Sequence, residues 1–351
     1  MIPLKQDKLF LRVAAVTLIF LYLVILAGSV VRATGSGMGC PDWPKCFGYF
    51  IPPTDPSQVE FHGDHAYKKS QMIIVNDTLW RAASDFTSGK NFDHANWEKY
   101  PVHDYAKFFV RQTWTEYINR LVGASSSFCM TILLVIAVFR ARRDWPTLAI
   151  LLMGMCVLAF VIWLGAVVVN TNLAPQKITF HMMSSIVLLG VVIFTSARVR
   201  RISGLLEKHC IGKNLRRLLV FGIALTIVQI IFGTQVRQQI DTINKNMDGL
   251  SRETWIAQLN SLYPVHQILA VLVLLVNGTL FFFFSRRKPE GRTKFLVYGI
   301  LLLMLAEYGV GVFLHNFAIP AFAQPAHLIL AMILFGVQFG LLVRTTSKWV
   351  A

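Results

Sequence analysis

Charge is scarce in this sequence. Asp, Glu, Lys and Arg make up 15% of it against 55% apolar residues, whereas a soluble domain carries about 25% charged residues. With a positive mean hydropathy as well, the chain cannot clothe a water-facing surface, which excludes a soluble enzyme and leaves a polytopic membrane protein. Acidic residues are the scarcer sign, 18 against 34 basic for a net charge of +16. The excess does not describe a nucleic-acid surface, because the basic residues stand in short clusters flanking apolar runs. Cysteine is rare, five in all, and neither thiols nor carboxylates cluster with the histidines, which argues against a closed zinc site. The first apolar run is too long for a removed signal peptide and lacks a small-residue cleavage site, so it reads as a retained helix.

A helical span needs about 20 apolar residues, and eight stretches qualify: 9–31, 118–139, 146–169, 178–197, 218–236, 262–284, 295–314 and 318–343. The expected fold is an all-α membrane protein of eight transmembrane helices, arranged as two pseudo-symmetric four-helix bundles. The segments RARRD, ARVRRISGLLEKHCIGKNLRR and SRRKPEGRTK, with the two tails, carry essentially all of the +16. The positive-inside pattern then places both termini in the cytoplasm, with the protein in the cytoplasmic (inner) membrane.

That orientation puts residues 33–113 outside. Rich in Asp, His, Pro and aromatics, this segment reads as an ordered loop or lid rather than a flexible linker. It opens with TGSGMGCPDWPKC. On the oxidising side, with a Pro-containing turn between them, Cys40 and Cys46 favour a disulfide, two free thiols being the alternative. Cys129, Cys156 and Cys210 read as unpaired packing residues.

The odd-numbered runs end alike: Gly28 to Arg32, Gly165 to Val169, Gly233 to Arg237 and Gly311 to His315. A glycine in a membrane helix permits close approach of a backbone or a flat ligand. The even-numbered runs begin alike, each with a polar residue near its start: Asn119, His181, His266 and His327. The spacing from Gly165 to His181 equals that from Gly311 to His327, which predicts a duplicated four-helix unit. The division falls at 1–210 and 211–351.

Histidines on repeat-equivalent helices of one bundle can face each other across its axis, as cofactor ligands do. The glycines, the apolar slot and the arginines suit iron in a porphyrin better than a bare ion. Arg32 and Arg237, each four residues after a repeat glycine, can clamp propionates or simply snorkel to the interface. Glu116, Asn119 and Arg120 share one helix face, either lining the N-terminal pocket or, for Glu116 and Arg120, forming a surface ion pair. Gln229 and Glu307 each precede a repeat glycine by four residues and read as interhelical hydrogen-bonding groups, with a proton route as the sharper reading of Glu307. His62, His65, His94 and His103 read as surface residues, with an axial ligand from one of them as the alternative.

The stretch GSVVRATGSGMGCPDWPKCFG, with Glu-x-x-x-Arg at the second run and single histidines on runs four, six and eight, resembles the haem A synthase family across all eight helices. The resemblance implies a membrane enzyme oxidising a methyl group of haem O to a formyl group for terminal oxidases. It implies haem b held by His266 and His327, with Gly233, Gly311 and Arg237 around it. It implies His181 as ligand of the substrate haem beside Gly28, Arg32, Gly165 and Arg120, and Glu116 as the acid. The expected partners are haem O, the enzyme that makes it, an electron donor or acceptor, and the lipid bilayer. The sequence departs from the family in two places: the outer loop is longer than the resemblance implies, and Glu-x-x-His-Arg is here Glu116-Tyr117-Ile118-Asn119-Arg120. Asn119 is a poor iron ligand, so this haem would rest on His181 alone, with Asn119 hydrogen-bonding on its far face. The alternatives are a dihaem cytochrome that leaves haem unaltered, and a transporter. Polar residues near the outer face rather than the midplane weigh against transport.

Overall fold

A computed structural model describes residues 5–100, 107–170, 175–206, 211–247 and 249–346. Seven long helices carry the chain: α1 (Lys5–Ala33), α2 (Val110–Asn170), α3 (Pro175–Ile202), α4 (Lys213–Asn246), α5 (Leu262–Ser285), α6 (Gly291–Asn316) and α7 (Ala323–Thr345). All are apolar and long enough to cross a membrane, and the chain is a multi-span α-helical membrane protein.

Helix α2 accounts for two of the eight expected spans. At 61 residues a straight helix would reach about 90 Å, roughly three times a bilayer core. It breaks at Asp144, whose φ of −150° and ψ of 65° are not helical. The local sequence Asp144-Trp145-Pro146-Thr147 restarts the helix: Thr147 donates its hydroxyl to Asp144 Oδ2 at 2.5 Å, and proline suits a first turn because it lacks an N–H that would go unpaired. The expected loop between spans two and three is therefore a kink. At the other end, α2 starts at Val110, earlier than the apolar run. Asn119 is thus more than two turns into the helix, whereas His266 and His327 lie one turn into α5 and α7.

Contacts divide the described chain into two units, one from 1–26, 125–159 and 182–351, the other from 27–124 and 160–181. In the first, α4 packs on α5 and α7, and α6 packs on the same two helices, closing a four-helix bundle. Its inward stripes keep helical spacing: Val273, Asn277, Leu280 and Phe284 on α5, and Thr293, Val297, Ile300 and Met304 on α6. Mid-bundle, buried Gln338 donates to Asn277 Oδ1 at 2.8 Å. At the ends of α1 and α3 lies a buried ion network. Arg140 and Arg143 hold the two oxygens of Asp7 at 2.9 Å each, and Arg198 holds Asp144 at 2.8 Å.

The second unit contains a small β module between α1 and α2, ordered as expected but with strands that the apolar pattern did not mark. Strands β1 (Ala66–Tyr67) and β4 (Phe86–Thr87) pair; β2 (Met72–Val75), β3 (Thr78–Ala82) and β5 (Trp97–Lys99) form an antiparallel sheet in the order β2, β3, β5. Asn76 and Asp77 both take positive φ in the β2–β3 turn, the conformation of a tight hairpin. One face of the sheet packs Met72 and Leu79 on Cys40, Cys46, Phe47 and Tyr100. The other packs Ile73, Ala82 and Trp97 with Tyr67 and the surrounding aromatics.

Candidate functional site

In the closed bundle, α5 presents His266 and α7 presents His327, with ring centres 6.4 Å apart and planes at 85°. A metal bonded to two imidazole nitrogens at about 2.0–2.1 Å, each ring centre about 1 Å behind its nitrogen, separates the centres by about 6 Å. The pair therefore has the spacing to hold one ion between them. Among the described residues no three His, Cys, Asp or Glu side chains gather. Two protein ligands suit a metal whose other positions a macrocycle fills.

Glycines back both rings. A Cβ at Gly233 would stand 3.1 Å from His266 Cε1, and one at Gly311 would stand 3.3 Å from His327 Cε1. Gln229 donates from Nε2 to the His266 carbonyl at 3.0 Å, while Glu307 Oε1 lies 3.2 Å from His327 Nδ1. These repeat-equivalent side chains thus serve different atoms of their histidines. Arg237 hydrogen-bonds Gln324 and pairs with Asp241 at 2.7 Å. At the equivalent position on α6, His315 Nδ1 meets the Tyr263 hydroxyl at 2.7 Å.

The second unit repeats the pairing. A Cβ at Gly165 would lie 3.4 Å from His181 Cε1, and one at Gly28 would lie 3.7 Å from Asn119 Oδ1. Four glycines thus oppose the four polar residues that the repeat singled out. Arg32 closes the last turn of α1.

Glu116 and Arg120 have partners that sequence spacing could not reveal. Glu116 Oε2 accepts the Cys40 N–H at 2.8 Å, and Oε1 accepts from Arg120 at 2.6 Å. Arg120 also donates to the Asp42 and Lys45 carbonyls at 2.8 Å each, and Thr113 donates its hydroxyl to the Gly39 carbonyl. The side chains ride on one face of α2 and clamp the loop closed by the Cys40–Cys46 disulfide, which is formed. Inside that loop Asp42 accepts the Gly48 N–H at 2.9 Å. Burial pushes its carboxyl above the usual carboxylate range, against the lowering effect of the Gly48 N–H and the Arg120 charge.

Cys129 and Cys156 are free; Cys210 and His103 lie outside the described residues. His62 Nε2 donates to the Ser57 carbonyl at 2.8 Å, and His94 packs on Trp80 and Phe92, both in the β module. The sequence reading missed Asp7, Asp144 and the Asn277–Gln338 pair, because a lone acid at a basic helix end reads as solvated.

Fold and site together define a multi-span α-helical membrane protein with two histidines facing each other in a four-helix bundle. A profile of the cytochrome oxidase assembly protein family matches residues 11–79 and 78–339, and the chain belongs to that family. It is similar to the heme A synthase of Shewanella oneidensis, 25% identical over 222 residues covering 62% of this chain and 54% of that protein. The match thus spans about half of that relative's length. It is also 21% identical to the heme A synthase of Rickettsia prowazekii, over 95% of this chain and 96% of that one. A shorter match to the Shouchella clausii heme A synthase is 38% identical over 72 residues.

Proposed function

We propose that this chain is a membrane oxidoreductase of the haem A synthase type, converting a methyl group of haem O to a formyl group to supply haem A for terminal oxidases. The observation that supports it best is the His266–His327 pair, each ring backed by a glycine, with the same glycine–histidine pairing at Gly165 and His181. Residues 211–351 form the cofactor half, in which His266 and His327 hold haem b beside Gly233, Gly311 and Arg237. Residues 1–210 form the substrate half, in which His181 holds haem O beside Gly28, Gly165, Asn119, Arg32 and Arg120. A bound haem b supplies one-electron transfer.

The chain's own part is placement and proton handling. The glycines let two flat groups approach the helix backbones, and the bundle excludes water from their apolar faces. Converting a methyl to a formyl group takes one oxygen atom, from water or dioxygen, and removes electrons and protons from the carbon, so the reaction needs that oxygen donor, an electron acceptor and a group that takes the protons. Glu116, held by the Cys40 N–H and Arg120, is the group we assign to that last role. The protein sits in the cytoplasmic membrane with both termini inside, receiving haem O from the enzyme that makes it.

The test is haem extraction from the protein expressed beside a source of haem O. Haem A or its hydroxylated precursor is expected. Recovery of unchanged haem B and haem O would instead support a dihaem cytochrome, a reading that draws on Asn119 standing where the other three glycines face histidine.

A further inference from the structure

The disulfide loop carries an apolar edge that its own packing leaves outside. Phe50 and Ile51 are 74% and 68% exposed, and Trp43 is about half exposed. The exposure is built into the backbone. Cys46 and Tyr49 exchange main-chain hydrogen bonds at 2.9 and 3.1 Å around Phe47 and Gly48, both at positive φ, which makes a two-residue hairpin turn. Cys46 is tied to Cys40, Phe47 is buried, and the Phe47 carbonyl accepts the Met72 N–H at 3.1 Å. Pro52 and Pro53, immediately after Ile51, are buried too. With its neighbours fixed on both sides, the Phe50-Ile51 step is held out of the module.

Depth decides what meets that edge. Arg120 donates to the Asp42 and Lys45 carbonyls, and the Trp114 indole donates to the Pro53 carbonyl at 3.2 Å, so segment 42–53 is tied at both ends to the first turns of α2. The apolar run of that helix opens at 118. Trp114 heads one helical stripe with Ile118 and Leu121, both about half exposed, which on a spanning helix is surface that lipid covers. At 1.5 Å per residue, Trp114 stands about 6 Å beyond Ile118, at the level of the headgroups, where aromatic side chains concentrate. The Lys45 ammonium lies 5.1 Å from the centre of the Phe50 ring, a cation beside the apolar edge that suits a phosphate-bearing surface.

We propose that Trp43, Phe50 and Ile51 form a membrane-docking edge, seated in the interfacial layer of the adjacent leaflet with Lys45 at the phosphates. The occupant is lipid rather than a protein, because three side chains are far too few for a stable protein interface of about 20–30 residues a side, and because the edge continues a stripe of α2 that lipid already covers. The loop that holds Glu116 is thereby fixed from two sides, by α2 and by the bilayer.

Full-length protein in lipid nanodiscs tests this. Phe50→Trp and Ile51→Trp each add one indole to the eight present, and the fluorescence above that of the parent reports the new site. Lipid brominated near the carbonyl end of its acyl chains should quench most of the added signal, and dissolved iodide should quench little of it. Lys90→Trp, at an exposed position of the same module, should show the reverse. Iodide quenching at 50 and 51 equal to that at 90 would overturn the proposal, because the edge would then lie in water. Protection from both quenchers would overturn it as well, by showing that protein covers the edge; nanodiscs holding a single copy would tell a second chain from another segment of the same one. Should an added indole disturb the fold, the signal lost in Trp43→Phe gives the same measurement from a native side chain.

Discussion

Single residues decide what each glycine slot can hold. Asn119 reaches its glycine less closely than the histidines reach theirs, 3.7 Å from a Cβ at Gly28 against 3.1 to 3.4 Å, so an imidazole fits the same slot. Asn119→His should therefore add a ligand opposite His181 and convert the substrate-side haem to a six-coordinate low-spin spectrum; an unaltered spectrum would count against this placement. Asp42 carries the pH dependence of the disulfide loop. Burial raises its folded pKa above the ordinary 3.8, so its protonated form is the one that folding favours. Its contribution to stability is complete below that ordinary value and is lost as pH rises through the folded value. Asp42→Asn removes the charge and keeps an acceptor for the Gly48 N–H. Thermal unfolding in detergent should show variant and wild type converging below pH 3.8, with the variant gaining as pH rises; a pH-independent difference would exclude the idea.

Elements differ in how plainly their sequences announce them. The apolar runs gave every spanning helix, because burial in lipid requires continuous hydrophobicity and nothing else in the chain mimics it. The α2 kink was hidden because RARRDWP reads as a basic loop, and only tertiary partners show that Asp144 caps a new helix while held by Arg198. The β module was hidden for another reason. Its strands run only two to five residues, too short for an alternation of apolar and polar residues to stand out. The Asn76-Asp77 turn was the one local signal available. The ion network gives α1 and α2 a testable dependence on each other. Asp7 and Arg140 are almost fully buried, and removing Asp7 leaves Arg140 with only the more distant Asp144 at 3.7 Å, at a cost toward the lower end of the roughly 3–5 kcal/mol of a broken buried pair. Asp7→Ala should lower the unfolding midpoint sharply in detergent, whereas the doubly exchanged pair Asp7→Leu with Arg140→Leu should recover much of the loss. Equal midpoints for Asp7→Ala and wild type would show the network to be idle.

Across the whole molecule, the duplicated glycine–histidine pattern was legible because it depends on residue type and helix position alone. The clamp of Glu116 and Arg120 on the disulfide loop was not, since its partners lie more than 70 residues away and no periodicity connects them. The two proposed haem sites fall in different contact units, and each histidine lies in the same unit as its glycine. Loss of one site should therefore leave the other intact. His327→Ala removes one of two facing ligands and leaves Gly165, His181, Gly28 and Asn119 untouched, so haem content per chain should fall by the bundle-bound share alone. The surviving spectrum should be that of the His181 site, and introducing Asn119→His into this variant should alter it as in the parent. Haem content measured against protein, with absorption spectra of both variants, checks this. Loss of both haems from His327→Ala would mean that the bundle's cofactor is needed to form the other pocket, and that the duplicated halves are not independent holders.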